Sequence, residues 1–407
     1  MKILYICRIF SGLELSIKSR RWKPTGVPTI YKILEYFDKS EHKLQLVLTD
    51  FGVGLKHKTV FNNNKMFYFN LKGFSSPISV ITDSIKYKKF IFRILFKFFN
   101  FLKKTIIIIN LFLKNKPDLI YIDRSNILVA TILARFFKAK VILRIMGIYP
   151  SMWELEKKNT LRNIILKWCY KSKFKLVICT NDGTAGEMWM KKFLHKSVKR
   201  ENLLNGVDNK KFIKKKKKKK IDIFFIGRLE SIKGCIEFVE GISLLSEEDK
   251  KKINVTIVGT GSLKIQVLSM IKKKKLTNTV KHQNRVTHNL IKEIHKKCDI
   301  YVSLNKLGNL SNANLECFCS GICSIVIDTN PEMLSDLNMN RYFNNKTLIK
   351  IPYNAIQKEL AKKISYLINN KEKINYFSRK IYIQAFKVIK TWDERIAFEK
   401  KLIERIK

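Results

Sequence analysis

Acidic side chains are scarce in this sequence: 33 Asp and Glu stand against 81 Lys and Arg in 407 residues, a formal charge of +48. A surface so unbalanced cannot neutralise itself through local pairs, and its field attracts nucleic acid, anionic membrane surfaces or acidic substrates. The lysines are spread along the chain rather than gathered in one arm, so a Lys-, Ile- and Asn-rich compositional bias accounts for the charge equally well. No recognised nucleic-acid motif accompanies it. Glycine and proline, at 16 and 7, are too few for collagen-like or low-complexity architecture. The 8 cysteines include no Cys-x-x-Cys pair, which removes a zinc ribbon or a redox motif. Cys317, Cys319 and Cys323 lie in apolar runs and read as small buried hydrophobes. The 6 histidines contain no His-x3-His pair. Nor does any apolar run approach the roughly 20 residues of a membrane span. The opening MKILYIC reads as a strand that soon meets Arg8, not as a signal peptide. The expectation is a cytoplasmic chain that uses neither metal nor cofactor.

What is present is core-forming material: 46% hydrophobic residues and 27 Phe, in a chain long enough for two domains. Apolar runs alternate with longer helical stretches in both halves, the pattern of parallel α/β domains. Strands are predicted over 3–7, 44–48, 66–69, 119–122, 141–143 and 176–179, then over 223–226, 255–258, 280–282, 300–303 and 324–327. Helices are predicted over 27–37, 127–137, 184–192, 235–245, 262–274, 290–297 and 312–319, with two more over 376–389 and 393–406. The Val/Ile character of several strands requires both sheet faces to be covered. Between the halves an unbroken lysine run, 214–220, repels itself and stays solvated, as a linker or exposed loop open to acidic lipid. Just before it, Asn205-Gly206 supplies positive φ for a turn, and Asp208 can cap the residues after it. The predicted division is a domain at 1–213, a linker at 214–220, a second domain at 221–375 and helices over 376–407.

The chemistry concentrates in 302–328, VSLNKLGNLSNANLECFCSGICSIVID. A strand leads into the loop Gly308-Asn309-Leu310-Ser311, a helix opens near Asn312, and Gly321 stops it before a second strand. Backbone N–H groups of Asn309, Leu310, Ser311 and Asn312 at a helix start favour an anion such as a diphosphate. Glu316 is the only carboxylate between Asp299 and Asp328, and an acid beside a phosphate site is better matched to a sugar hydroxyl. This segment resembles the donor-binding signature of retaining GT-B glycosyltransferases, the glycosyl transferases group 1 or family 4 proteins. Glu316 matches the second Glu of their E-x7-E pattern and Gly321 matches their glycine. Gly308 stands at the first Glu, with Cys317 and Cys323 at the family's Ala and Pro.

Residues 227–234, GRLESIKG, follow the first strand of the second half. Gly227 lets the chain turn sharply beside a ligand. Arg228 and Lys233 bring two cations to a place where departure of a nucleoside diphosphate would build negative charge. The segment resembles the Gly-Arg-Leu…Lys-Gly motif of the same enzymes, whose Arg and Lys grip the donor diphosphate. Gly259-Thr260-Gly261 ends the next strand without the third glycine of a dinucleotide fingerprint, since Lys264 stands there. The resemblance implies a backbone contact with the nucleotide at this turn, and places His282 and Arg285 in a loop near the base. In the first half, Gly26 before Pro28 matches the family's glycine-rich loop near the donor phosphates. Arg144 and Gly147 fall where many relatives carry a His-Gly or similar polar pair, and Asp182 is expected to cap a helix. Residues 204–212 resemble the family hinge. Thr391-Trp392-Asp393-Glu394-Arg395 resembles the kink before a C-terminal helix returns to the first domain.

The resemblance implies an α/β chain of GT-B fold: two Rossmann-like domains facing a cleft, with a C-terminal helix crossing back to the N-terminal domain. The implied activity is a metal-independent, retaining hexosyltransferase in which Arg228, Lys233 and Glu316 carry catalysis. Gly26, Gly227, Gly259, Gly261, Asn309, Leu310, Ser311 and Asn312 would bind the nucleotide-sugar, with no metal and no further cofactor. No acid pair of the hydrolase kind is discernible. Front-face substitution, with the leaving phosphate taking the acceptor's proton, is the mechanism implied. The expected acceptor is a glycan, lipid-linked, in surface polysaccharide or lipopolysaccharide synthesis. Two other readings are a degenerate, non-catalytic sugar-nucleotide-binding protein and a non-specific binder of nucleic acid or anionic surfaces.

Finally, residues 89–104, KFIFRILFKFFNFLKK, place Lys89, Arg93, Lys97, Asn100 and Lys104 in one narrow stripe of an otherwise apolar helix. Such a helix either packs on the first sheet with its lysines snorkelling outward, or lays its apolar side, Phe98 and Phe99 included, in an anionic membrane surface. The second alternative puts the protein peripherally on the inner face of the cell membrane.

Overall fold

The computed structural model describes residues 1–10, 12–49, 66–81, 90–214, 218–284, 286 and 288–406, with the backbone alone at 67, 90–98, 288 and 289. Lys89, Arg285 and residues 215–217, and the side chain of Phe98, thus lie outside the described residues. Every predicted strand is present. The first sheet contains β1 (Lys2–Arg8), β2 (Lys43–Thr49), β3 (Met66–Leu71), β4 (Phe74–Ile81), β5 (Leu119–Asp123), β6 (Val141–Ile145), β7 (Leu176–Thr180) and β8 (Lys199–Leu203). Its order is β3-β4-β2-β1-β5-β6-β7-β8, and only the β3–β4 pair is antiparallel. The second contains β9 (Ile221–Ile226), β10 (Ile253–Val258), β11 (Val280–Gln283), β12 (Ile300–Ser303), β13 (Cys323–Ile327) and β14 (Ile349–Ile351). Its order, β11-β10-β9-β12-β13-β14, is wholly parallel and doubly wound outward from β9.

Parallel neighbours need crossovers, and helices supply them. In the first half these are α1 (Glu14–Ser19), α2 (Pro28–Lys39), α3 (Phe90–Asn115), α4 (Ile127–Arg135), α5 (Pro150–Lys157), α6 (Leu161–Tyr170) and α7 (Gly186–Phe193). In the second they are α8 (Cys235–Ser243), α9 (Glu247–Lys251), α10 (Lys264–Lys273), α11 (His288–Lys297), α12 (Asn312–Cys319), α13 (Ile356–Asn369) and α14 (Lys371–Val388), followed by α15 (Trp392–Glu404). The helices cover both faces of each sheet. Along β1, Ile3, Tyr5 and Cys7 enter one core while Leu4 and Ile6 enter the other, the period-two alternation of a strand buried on both sides. All eight cysteines are buried. No helix of the described residues is long and apolar enough to cross a membrane.

The chain divides into two compact units, Met1–Thr180 with Glu187–Leu203 and Ile396–Lys407, and Asn181–Gly186 with Leu204–Arg395. This differs from the predicted boundaries in three respects. Residues 204–213 belong to the second unit, where Val207 N–H donates to the Lys390 carbonyl (3.1 Å) and Trp392 N–H to the Val207 carbonyl (2.9 Å). Lys218 is exposed, as expected of the linker, but it is tied down: its ammonium bonds Asp222 (2.6 Å) and Asp299 (3.4 Å) beside the start of β9. Residues 376–395 stay in the second unit because α14 packs on α12 and β13. A reciprocal capping box then starts α15: Thr391 N–H donates to Glu394 Oε2 (2.7 Å), and Glu394 N–H to Thr391 Oγ1 (3.2 Å).

In α3 the polar stripe does not face outward throughout. Lys104 is only 3% exposed, while Phe99, Leu102 and Ile106 are exposed. Asp123 supplies an opposite charge on the inner side. It is buried at the end of β5, its pKa is raised chiefly by that burial, and Lys104 is among the charges that oppose the rise.

The last segment of the chain enters the first unit through charge. Glu399 on α15 accepts from the Tyr121 hydroxyl and lies 3.9 Å from the guanidinium of Arg144, with both side chains nearly inaccessible. Arg144 Nη2 also donates to Thr180 Oγ1 (3.0 Å), and Tyr121 stacks on Tyr5 at 4.7 Å. Arg144, at the place of the family's polar pair, is thus committed to the tail. Glu399→Ala should cost about 3–5 kcal/mol by stranding the buried guanidinium. Arg144→Met combined with Glu399→Leu should recover most of that loss in urea denaturation; single-variant losses that simply add would reject the pairing.

Candidate functional site

In a doubly wound sheet the ligand crevice opens at the carboxyl ends of the strands where the winding reverses, here between β9 and β12. The two motifs singled out in the sequence emerge from those two strands. After β9 come Gly227, Arg228 and, in a short 3₁₀ turn, Lys233; after β12 comes the loop to Ser311 and α12. Lys306 N–H donates to the Ile232 carbonyl (2.9 Å), which stitches one loop to the other. A Cβ built on Gly227 would meet nothing within 4 Å, so space lies open beside it. Arg228 is exposed and Lys233 is half-buried. The Lys233 pKa is pushed down by burial first and by Arg228 second, with Asp182 opposing. Two cations are thus held close together against their mutual repulsion.

Gly259 and Gly261 follow β10 against these residues. At φ 149°, a Cβ on Gly259 would lie 1.8 Å from the Gly227 carbonyl oxygen, so only glycine fits. His282 Nε2 lies 2.9 Å from the Gly259 carbonyl, so this residue secures the turn. Gly26, at φ 102°, sits in the first unit immediately before α2, whose first turn contains Pro28.

The β12 loop is closed from within. Asn309 is fully buried, and its N–H donates to both oxygens of Asp336 (2.8 and 3.1 Å), as does its Nδ2 to Oδ2 (2.8 Å). Leu310 N–H donates to the Asp182 carbonyl (3.2 Å), and Asp336 N–H to that of Gly183 (2.6 Å). The expectation that four amides from Asn309 to Asn312 face a ligand therefore needs correcting, because the first two are engaged by protein acceptors. Ser311 caps α12 by accepting from Asn314 N–H (3.4 Å), and the Asn312 Oδ1 accepts from Asn205 (2.6 Å). Glu316 lies one turn further along α12 and is half-buried. Gly308 has its own steric reason: a Cβ there would lie 2.6 Å from the Asp182 oxygen and from the Gly183 carbonyl carbon. No glutamate can occupy that position in this packing. Asp182 accepts from Thr184 N–H (3.2 Å) and Oγ1 (2.6 Å), capping a tight turn ahead of α7 rather than the helix itself.

Sequence reasoning missed Asp336. Its carboxyl is raised to about 7 by burial first, against the Asn309 hydrogen bonds, with Asp182 adding to the rise. Only an isolated Ser-Asp-Leu-Asn stretch marked it. The nearby thiols are inert by contrast, with burial lifting Cys319 to about 12 and Cys235 to about 11.

A carboxyl whose folded pKa exceeds its unfolded one binds more protons in the folded state between the two values. Its stabilising contribution is therefore complete below about pH 4 and is lost as pH rises through about 7. Relative to Asp336→Asn, the wild type should lose stability across that window with a slope of up to about 1.4 kcal/mol per pH unit. Parallel pH profiles for the two proteins in urea denaturation would refute the assignment.

Comparison with known proteins agrees with this geometry. Residues 206–384, which include Arg228, Lys233 and Glu316, match the family model of glycosyl transferases group 1. Over 208 residues the chain is 28% identical to an uncharacterized glycosyltransferase of Methanocaldococcus jannaschii, a match spanning 50% of this chain and 50% of that protein's length. Its fold is similar to sucrose-phosphate synthase from Thermosynechococcus elongatus (TM-score 0.68, 12% identity, covering 100% of this chain and 98% of that one). It is also similar to Anabaena HepE in complex with UDP-glucose (TM-score 0.64, 14% identity, covering 98% and 99%). Residues 206–384 thus match the glycosyl transferases group 1 family, in a chain with the two Rossmann-like units of the GT-B fold.

Proposed function

We propose that this chain transfers a sugar, with retention at the anomeric carbon, from a nucleoside-diphosphate sugar to a glycan acceptor. The observation that carries the reading is the meeting of two cations, Arg228 and Lys233, with the loop and helix start after β12 at the switch point of the second sheet. The group 1 match over the same residues supports it, as does the UDP-glucose bound by the structurally similar HepE. In this reading the bond from the anomeric carbon to the diphosphate oxygen breaks while the acceptor oxygen bonds the same face. The acceptor's proton passes to the departing phosphate. Arg228 and Lys233 offset the charge that develops there, which fixed cations do best in a partly desolvated site. The amides of Ser311 and Asn312 add to them at the start of α12. Glu316 accepts from hydroxyls of the donor, the ribose first among them. The Gly259–Gly261 turn completes the donor site within the second unit, and the acceptor is lipid-linked.

Gly308 favours a second reading, a protein that binds the sugar nucleotide without turning it over. Isotopically tagged donors of the UDP, GDP and ADP series separate the two: label appearing on an acceptor rejects the second reading.

Glu316→Gln should lower transfer about 10- to 150-fold, the loss of about 1.5–3 kcal/mol for a charged hydrogen bond, while the melting temperature holds. Full turnover and wild-type donor affinity in the folded variant would remove Glu316 from the site.

Arg228→Ala and Lys233→Ala should depress kcat more than they raise KM, because their charge acts on the leaving group. Activity should persist in EDTA, and a strict requirement for Mg²⁺ or Mn²⁺ would count against this mechanism.

A further inference from the structure

The first unit turns outward an apolar, basic-rimmed face that neither its cores nor the donor site uses. Helices α3, α4 and α6 flank one another, with α4 touching both neighbours. None of the three contains an Asp or a Glu. On α6, Leu161, Ile164, Ile165 and Trp168 are all exposed, Leu161 by 74% and Trp168 by 43%. Their steps of three, one and three place them in one stripe, while Asn163, Cys169 and Tyr170 on the other side are buried. Phe136 comes just after the last turn of α4 and is 70% exposed. Trp168 is not a loose side chain. The Arg135 guanidinium lies 4.6 Å over its ring, donates to the Trp168 carbonyl (2.9 Å) and fixes itself on Ser172 Oγ (2.9 Å). Around the stripe, Arg162 is exposed, as are Lys158, whose ammonium lies 4.0 Å from Glu154, and Lys171, whose ammonium donates to the Leu194 carbonyl (3.3 Å).

Such a face fits a partner that is apolar at the centre and negative around it. A second copy of the chain offers apolar surface but meets it with a formal charge of +48 against +48. Nucleic acid offers the charge without the apolar layer. An anionic bilayer offers both, acyl chains beneath acidic headgroups. We propose that the outer face of α6 docks on an anionic phospholipid bilayer, with Leu161, Ile164, Ile165 and Trp168 at the acyl boundary and Lys158, Arg162 and Lys171 on headgroups. The proposal uses none of residues 89–98; on α3, Phe99, Leu102 and Ile106 are exposed as well. The proposal needs no donor and stands apart from the transfer reading.

Co-sedimentation of the full chain with phosphatidylglycerol–phosphatidylcholine vesicles, and with phosphatidylcholine alone, tests it. The wild type should bind the anionic vesicles only, and binding should fall at least about tenfold in 0.5 M salt. Ile164→Asp combined with Trp168→Asp should weaken binding by a similar factor at unchanged melting temperature. Nitroxide-labelled lipid should quench the tryptophan fluorescence of the wild type, and Trp168→Phe, which spares the packing, should remove most of that quenching. A wild type that ignores anionic vesicles, or quenching that survives in Trp168→Phe, would overturn the proposal. So would a wild-type dimer that the double substitution turns into a monomer, since a second copy would then cover the face. Oligonucleotide binding lost in the double variant while vesicle binding is kept would likewise overturn it.

Discussion

In both sheets a strand reaches its parallel neighbour only by crossing over the sheet, and each crossover lays a helix on one face. Much else depends on that. Strands covered on both sides have to be apolar at nearly every position, as β5, β6, β7 and β13 are. The polar chemistry is displaced to the loops that leave the carboxyl ends. There the next helix begins with amides that lack intrahelical partners. The winding of the second sheet reverses between β9 and β12, and at that reversal two successive loops diverge and leave a crevice. Arg228, Lys233 and Glu316 belong to these two loops and the helix that one of them starts.

The same region illustrates how a loop at the carboxyl end of a strand is kept in shape. Asn309 and Asp336 satisfy each other through three hydrogen bonds in a buried setting, where an unpaired amide or carboxylate would be expensive. Gly259 and Gly308 let backbone approach backbone where any side chain would collide. Rigidity of this kind engages the amides of Asn309 and Leu310 with protein acceptors. It also puts a readily protonated carboxyl directly behind them.

The strands and the family signature were legible in the sequence because each is local: an apolar run, or glycines, cations and one acid at fixed spacing. What escaped was set by distant partners. Asp336 reaches Asn309 across 27 residues from a left-handed conformation, φ 53°, that carries no sequence mark. Lys104 turns inward, where buried Asp123 offers an opposite charge, whereas a helical projection sorts residues by polarity alone. Strand β8, KRENL, is a charged edge strand and shows no apolar run. Strand β4 hides behind two serines and Pro77, and β14 is three residues long. Arg144 stands where relatives carry a polar pair, and only the position of Glu399 shows that its charge is already spoken for.

That pairing bears on the order in which the polypeptide acquires its shape. Tyr121 and Arg144 are synthesised early, yet the carboxylate they enclose lies 278 residues beyond Tyr121. Until the ribosome has passed Glu399, the first unit holds a guanidinium with no counter-charge, and a cation in that state keeps its water rather than entering a core. The first unit to emerge is thus the last to close. A chain that stops short of α15 lacks the one carboxylate that Tyr121 and Arg144 share.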